Sequence, residues 1–508
     1  MMLSRETTFP PSIHRAKGLR SLLIYNSGDP SLGAALPDVI KQLTCIRSLN
    51  VSGSSIKEIP KEVGKLIHLR HLNLECCLEL VSLPETMCDL CNLQSLDVRG
   101  CICLKELPRA IVKLINLRHL CIMGSGVAFM PKGIGRLTCL RTLDCFVVCG
   151  GGENESKAAN LRELKNLDHI GGSLVIEKLR GGGIEDAAEA QLKNKKRLLC
   201  LELNFCKGVE NRLGGIEDGI LIEGLQPPSN LERLSIWGYG GIGLPYWMMA
   251  LTRLQELRLF DCGNLEVLPP LGRLPNLESL QLRCLQVRRL DAGFLASLQE
   301  LQLINCENLE PLGRLPNLES LTLKRVGVRR LDAGFVGIEE VENANNINEG
   351  EIASVTAFPK LKTLHFSLLE ELEGWDGIER RVGEEDATTT SIFIMPQLRD
   401  LSIPDYVLAA SLQDLRLIDC GNLEVLPPLG RLPNLESLVL YNLGVRRLDD
   451  EFVGIEEVEN ANINEGEIAR VTAFPKLKTL YIEYLFKLEE WDGIERRVGE
   501  ERLYRSFT

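Results

Sequence analysis

The chain repeats itself at short range. From Ile46 it reads IRSLNVSGSSIKEIPKEVGKL, and from Leu69 it reads LRHLNLECCLELVSLPETMCDL. Leu93 opens LQSLDVRGCICLKELPRAIVKL, Leu117 opens LRHLCIMGSGVAFMPKGIGRL, and Leu140 begins the frame again. The start-to-start steps are 23, 24, 24 and 23 residues. Three features recur in register: apolar residues spaced L-x-x-L-x-L, an L/I-P or M-P pair, and a closing leucine. So regular a period limits the chain to stacked copies of one small unit.

Leu72 and Leu74 are two residues apart, so they point to one side of a short strand. His71, Asn73 and Glu75 face the other way, and an alanine at Asn73 is expected to be nearly silent for stability. Leu80, Leu83 and Leu90 bring a return segment back onto the same interior. One unit cannot bury its own apolar face, but stacked neighbours form a continuous core and a parallel sheet. The period and the L-x-x-L-x-L spacing mark leucine-rich repeats. The predicted fold is an α/β solenoid: a curved horseshoe with a parallel sheet on the concave face and irregular or short helical segments on the convex side.

Length alone suggests several domains for 508 residues, but a solenoid grows without new cores. Aromatic content of 5% against 44% hydrophobic suits a leucine-built interior. A net charge of −12 argues against a nucleic-acid partner, which calls for a basic face. No apolar run is long enough to span a bilayer, and the opening MMLSRETTFPP has no signal-peptide core. The expected location is therefore cytoplasmic or nucleocytoplasmic, with the 17 cysteines as thiols rather than a disulfide framework.

In chain order, residues 1–18 read as a lead-in and 19–148 as regular repeats, with Leu19–Ile24 a first strand and Asp29–Leu43 a longer return. Residues 149–197 form an irregular unit: a flexible CGGGENESKAA loop, a strand at Ser173–Ile176, and a helix predicted over Ile184–Lys196, acidic first and basic last as the helix dipole prefers. Repeats resume over 198–410 with an acidic insertion near 337–354. Residues 411–501 duplicate the preceding segment, with a second insertion near 454–470, and 502–508 are a tail. Both insertions are acidic and asparagine-rich, a composition that resists packing. SLQELQLINCENLE at Ser297 returns as SLQDLRLIDCGNLE at Ser411. Only 14 residues separate the frames at Leu398 and Leu412, too few for a repeat, which marks the seam of the duplication.

Several phrases are more specific than the plain repeat. PPSIHRAKGLRSLL, LTCIRSLNVSGSSIKEIPKEVGKLIHLRHLNL, GIGRLTCLRTLDCFVV, LRELKNLDHIGGSLVI, WGYGGIGLPYWM and AFPKLKTL followed by EELEGWDGI resemble the repeat region of plant intracellular disease-resistance receptors of the coiled-coil, nucleotide-binding, leucine-rich-repeat class. The resemblance implies a role in defence: recognising pathogen effectors or guarded host proteins and, in a full receptor, restraining a nucleotide-binding domain in cis or in trans. The alternative is a signalling scaffold or adaptor unconnected with pathogens. This sequence contains no G-x-x-x-x-G-K-[ST] phosphate loop, so no nucleotide cofactor is expected to bind these residues.

No catalytic, cofactor or metal site is expected. Cys88-x-x-Cys91 lacks a matched second pair. Cys77, Cys101, Cys206, Cys262, Cys306 and Cys420 each fall three residues after the last strand apolar, where the side chain turns inward to satisfy strand-end backbone groups. His71 and His119 lie on one face but two repeats apart. The informative surface is the concave face. The frame places Arg233, Trp237, Arg258, Phe260 and Arg283 there on three successive strands, as a candidate protein-binding patch, since aromatics and arginine dominate interface hot spots. Trp237 has a plainer reading as a cover over the Gly238–Gly243 turn. Arg288–Arg289, Arg329–Arg330 and Arg446–Arg447 recur at matched repeat positions and read as solvated rim.

Overall fold

Period-two alternation turns each L-x-x-L-x-L unit into one short strand. In the computed structural model the described residues are 2–3, 16, 18–24, 31–205, 215–285, 296–306, 315–327, 330–331, 355–356, 360–369, 374–375, 392–393, 412–424, 426, 429–432, 434–448 and 474–491. The two insertions, the frame at Leu398, Cys206, Arg288–Arg289, Arg329 and the tail lie outside them. The chain divides into unit 1, Met1–Leu254 with Cys262–Asn264, and unit 2, Gln255–Asp261 with Leu265–Thr508. Each is built of leucine-rich repeats.

In unit 1 the strands Ser21–Ile24, Ser48–Asn50, His71–Asn73, Ser95–Asp97, His119–Cys121 and Thr142–Leu143 pair in chain order, all parallel. The lead-in adds one element to this sheet: Met2–Leu3 pairs with Leu23–Ile24. Leu49, Leu72, Leu74, Leu96 and Leu120 are almost wholly buried, each a contribution of about 1.5–3 kcal/mol. Asn73 is less passive than the alternation suggests. Its side-chain oxygen accepts the Glu75 backbone N–H at 2.8 Å, as Asn50 does for Ser52 at 2.9 Å and Asp97 for Arg99 at 3.1 Å.

The return segments are short 3-10 helices, Lys61–Lys65, Glu85–Asp89 and Arg109–Lys113. Each follows a proline, Pro60, Pro84 or Pro108, whose fixed φ and missing N–H suit the residue before a helix start. Each ends on a buried leucine, Leu66, Leu90 or Leu114. The longer return is a true α-helix, Ser31–Gln42.

The first sheet stops at Asp144. Thr142–Leu143 pairs backwards with His119–Leu120, whereas Cys145–Val147 pairs forwards with Val175–Glu177. Between them the Asp144 carboxylate accepts the N–H of Ile122 at 2.7 Å and of Met123 at 3.3 Å, replacing the missing strand bonds. The second ladder continues through Gly171–Glu177, Arg197–Asn204 and Arg233–Trp237.

The helix predicted over Ile184–Lys196 is shorter: it spans Ile184–Glu189. Gln191 adopts a left-handed conformation with φ 48°, which ends the helix. A 3-10 turn, Leu192–Asn194, then directs Lys195 inward. Lys195 is 0% exposed, and its Nζ donates to the carbonyls of Leu164 at 2.7 Å and Leu167 at 3.2 Å. The end of a neighbouring return turn thereby gains the donor it lacks. The helix itself is tied to that return segment by Arg162–Asp186 at 2.6 Å and Lys165–Glu189 at 3.1 Å.

In unit 2 the strands Glu256–Phe260, Ser279–Arg283, Glu300–Ile304, Ser320–Lys324, Thr363–Ser367, Asp414–Ile418, Ser437–Tyr441 and Thr479–Glu483 form one parallel ladder. Thr363–Ser367 pairs directly with Asp414–Ile418, so no strand from the seam enters between them. The duplicated segment also brings a smaller parallel pair. Arg330–Leu331 lies beside Gly374–Trp375, and Arg447–Leu448 beside Glu490–Trp491. Arg330 and Arg447 open these strands, and Arg446 pairs with Glu424 at 3.1 Å.

Candidate functional site

The candidate residues lie on the sheet faces opposite the leucine core, and the two units each carry part of them. In unit 1, Arg233 and Trp237 sit at the two ends of one strand, opposite Cys200 and Asn204 of the preceding strand. Arg233 is exposed, and its Nε lies 3.0 Å from the Cys200 sulfur. Trp237 is half-buried.

The turn after Trp237 is organised from inside by residues the sequence reading did not single out. Tyr239 is 1% exposed and donates its hydroxyl to the Gly243 carbonyl at 2.7 Å, with its ring edge-on to Phe205 at 5.4 Å. A side chain at Gly241 would collide with that hydroxyl. Asp218, on the helix Gly215–Gly224, accepts the Gly240 N–H at 2.9 Å. Tyr239 was detectable in principle: it falls three residues after the strand apolar Ile236, the position held by cysteine in other repeats.

In unit 2, Arg258 pairs in register with Gln281, and Phe260 with Arg283. Phe260 is half-buried and Arg283 exposed. Arg258 already has a carboxylate: its Nε donates to Glu256 at 2.6 Å. Arg283, by contrast, is exposed, and it stands in register beside the half-buried ring of Phe260. The structure brings Arg258, Phe260 and Arg283 together on two neighbouring strands of unit 2, and Arg233 and Trp237 together on one strand of unit 1.

The strand-end cysteines behave as their position predicts. Cys77 donates its thiol to the Val51 carbonyl at 3.3 Å and Cys101 to Leu74 at 3.0 Å, each reaching into the preceding repeat. Cys262 lies 3.8 Å from the Ile236 carbonyl, Cys306 3.5 Å from Ile304 and Cys420 3.4 Å from Ile418. Burial pushes the Cys77 thiol up to about 11 and Cys101 to about 12, so both stay protonated donors. Cys88 is buried and Cys91 exposed, so the C-x-x-C pair points apart. Among the described residues no group of His, Cys, Asp and Glu is placed to hold a metal ion.

His71 and His119 have Ser95 between them in register. Burial lowers the His119 pKa, and the nearby charges of Arg141, Arg118 and His71 lower it further. Its Nδ1 lies 3.0 Å from the Thr142 hydroxyl.

Residues 161–285 match the family described as R13L1/DRL21 LRRs. The chain is 43% identical over 249 residues to the disease resistance protein RGA1 of Solanum bulbocastanum, covering 48% of this chain and 24% of that protein. It is 32% identical over 286 residues to the disease resistance RPP13-like protein 1 of Arabidopsis thaliana, covering 53% of this chain and 27% of that one. A solved leucine-rich-repeat protein of Leptospira interrogans, LIC12759, superposes with a TM-score of 0.48 and 21% identity, over 86% of this chain and 88% of that one. The matched portion thus spans about a quarter of the length of these plant relatives. The chain is a leucine-rich-repeat region similar to plant disease-resistance proteins. Among the described residues no helix is long and apolar enough to cross a membrane.

Proposed function

We propose that this chain is a protein-binding, non-catalytic repeat region that acts in plant defence from the cytoplasm, recognising a pathogen effector or a guarded host protein. In a complete receptor the same repeats would restrain a nucleotide-binding domain. The observation that carries the reading is the pairing of Phe260 with Arg283 on a sheet face whose opposite side is sealed by leucine. An apolar ring beside an exposed guanidinium suits burial by a protein partner and pairing with its carboxylates. On unit 2 Arg258 extends this candidate surface, and on unit 1 Arg233 and Trp237 form a separate one. The similarity to disease-resistance proteins supports the setting.

Alanine at Trp237 and at Phe260 tests it. Each is expected to weaken binding to a cognate partner by more than about 1 kcal/mol. Thermal stability should stay nearly unchanged, because neither side chain belongs to the leucine core. A partner bound equally well by wild type and the double variant would refute both surfaces.

A further inference from the structure

The edge of unit 1 where the strands begin carries a column of arginine. Arg20, Arg47, Arg70, Gln94, Arg118 and Arg141 each occupy the position after the first apolar residue of their repeat, a leucine in all but Ile46. The backbone sets them side by side. Arg47 N–H donates to Arg20 O at 2.6 Å, Arg70 to Arg47 at 2.7 Å, Gln94 to Arg70 at 2.7 Å, Arg118 to Gln94 at 2.8 Å and Arg141 to Arg118 at 2.7 Å. With strands about 4.8 Å apart, the five steps span about 24 Å. All five arginines are exposed. Among the described residues none of them has an acidic partner.

The fold does not require arginine there. The same position in unit 2 holds Gln255, Glu278, Gln299, Glu319, Lys362, Gln413, Glu436 and Lys478, joined by the same ladder of backbone bonds. There both lysines pair with the glutamate of the neighbouring strand, Lys362–Glu319 at 2.7 Å and Lys478–Glu436 at 2.8 Å. Unit 1 instead stacks like charges in a chain whose net charge is −12. Stacked guanidiniums repel, which opposes folding and is relieved when carboxylates approach.

We propose that this arginine column is a docking surface for an acidic protein segment, independent of the candidate surfaces at Trp237 on unit 1 and at Phe260 on unit 2. Two features favour protein over a nucleic acid. The column belongs to a chain of net charge −12 that would repel a phosphate backbone as a whole, whereas a protein partner can match both signs. No aromatic side chain lies among the six column positions to stack a base. Ile67 and Ile115, 56% and 60% exposed on the turns entering the Arg70 and Arg118 strands, add apolar contacts a protein can cover.

The test uses the full chain and a labelled peptide of glutamate and serine, followed by fluorescence anisotropy over a salt series. A single-stranded oligothymidylate of equal charge is the competing probe. The peptide should bind saturably and weaken with salt. Arg70→Glu/Arg118→Glu should weaken it by at least about tenfold, with Arg70→Gln/Arg118→Gln intermediate. Lys362→Gln in unit 2 and Trp237→Ala should leave it unchanged, which separates this surface from the one at Trp237. Circular dichroism confirms that each variant is folded, and the neutral pair serves if charge reversal disturbs the fold. Tighter binding of the oligonucleotide, no saturable peptide binding, or equal binding by the arginine variants would overturn the proposal.

Discussion

Arg180 donates to both oxygens of Asp218, at 3.2 and 2.8 Å, although 38 residues of chain separate them. The same guanidinium reaches the Gly238 carbonyl at 2.6 Å, and Asp218 accepts the Gly240 N–H. The pair is nearly dry, with side chains 11% and 2% exposed. It locks the helix Gly215–Gly224 to the turn that follows Trp237.

Removing one partner of this pair leaves the other charge buried alone. Asp218→Ala should therefore cost about 3–5 kcal/mol. Replacing both, as Arg180→Met/Asp218→Leu, should recover part of that loss. Urea denaturation of the three variants measures it, and equal losses in single and double variants would contradict the coupling.

Leu74 and Asn73 are adjacent but face opposite sides of their strand. Leu74→Ala should cost about 2–5 kcal/mol, as for other fully buried leucines. Asn73→Ala should cost about 0.5–1.5 kcal/mol, the net worth of the hydrogen bond to Glu75. Chemical denaturation distinguishes them, and a larger loss at Asn73 would place the strand one residue out of register.

Burial lowers the Lys195 pKa to about 8, while Asp168 draws it back up. An unfolded lysine titrates near about 10.4. Between those values the unfolded state holds a proton that the folded state has released, so stability should rise as pH climbs from 8 towards 10. Below the folded pKa both states are charged and this dependence vanishes. Lys195→Met should abolish the rise. It should also destabilise the chain by about 1–3 kcal/mol for each carbonyl left without a donor. Melting temperatures of both proteins across this range provide the check.

The repeat, its strand face and its cysteine position were legible in the residues because each depends on short, recurring spacing. Leu72, Leu74 and Cys77 follow from counting alone. Lys195 was not legible: a charged pattern of the right sign reads as an exposed helix end, and nothing in it reveals the left-handed turn at Gln191. Asp218 and Tyr239 were hidden for another reason. Their roles depend on contacts with Arg180, Gly240 and Gly243 that only the assembled loop creates. The pairing of Phe260 with Arg283 was legible from the frame, whereas the prior engagement of Arg258 by Glu256 was not.

The register of unit 2 has a genetic consequence. Ser320, Thr363, Asp414, Ser437 and Thr479 align across successive strands. The chain between them runs 43, 51, 23 and 42 residues, yet the pairing never shifts. A recombination event that copies, deletes or lengthens a link therefore leaves the neighbouring strands in step. Such a gene can try new surface segments one repeat at a time while its interior stays the same.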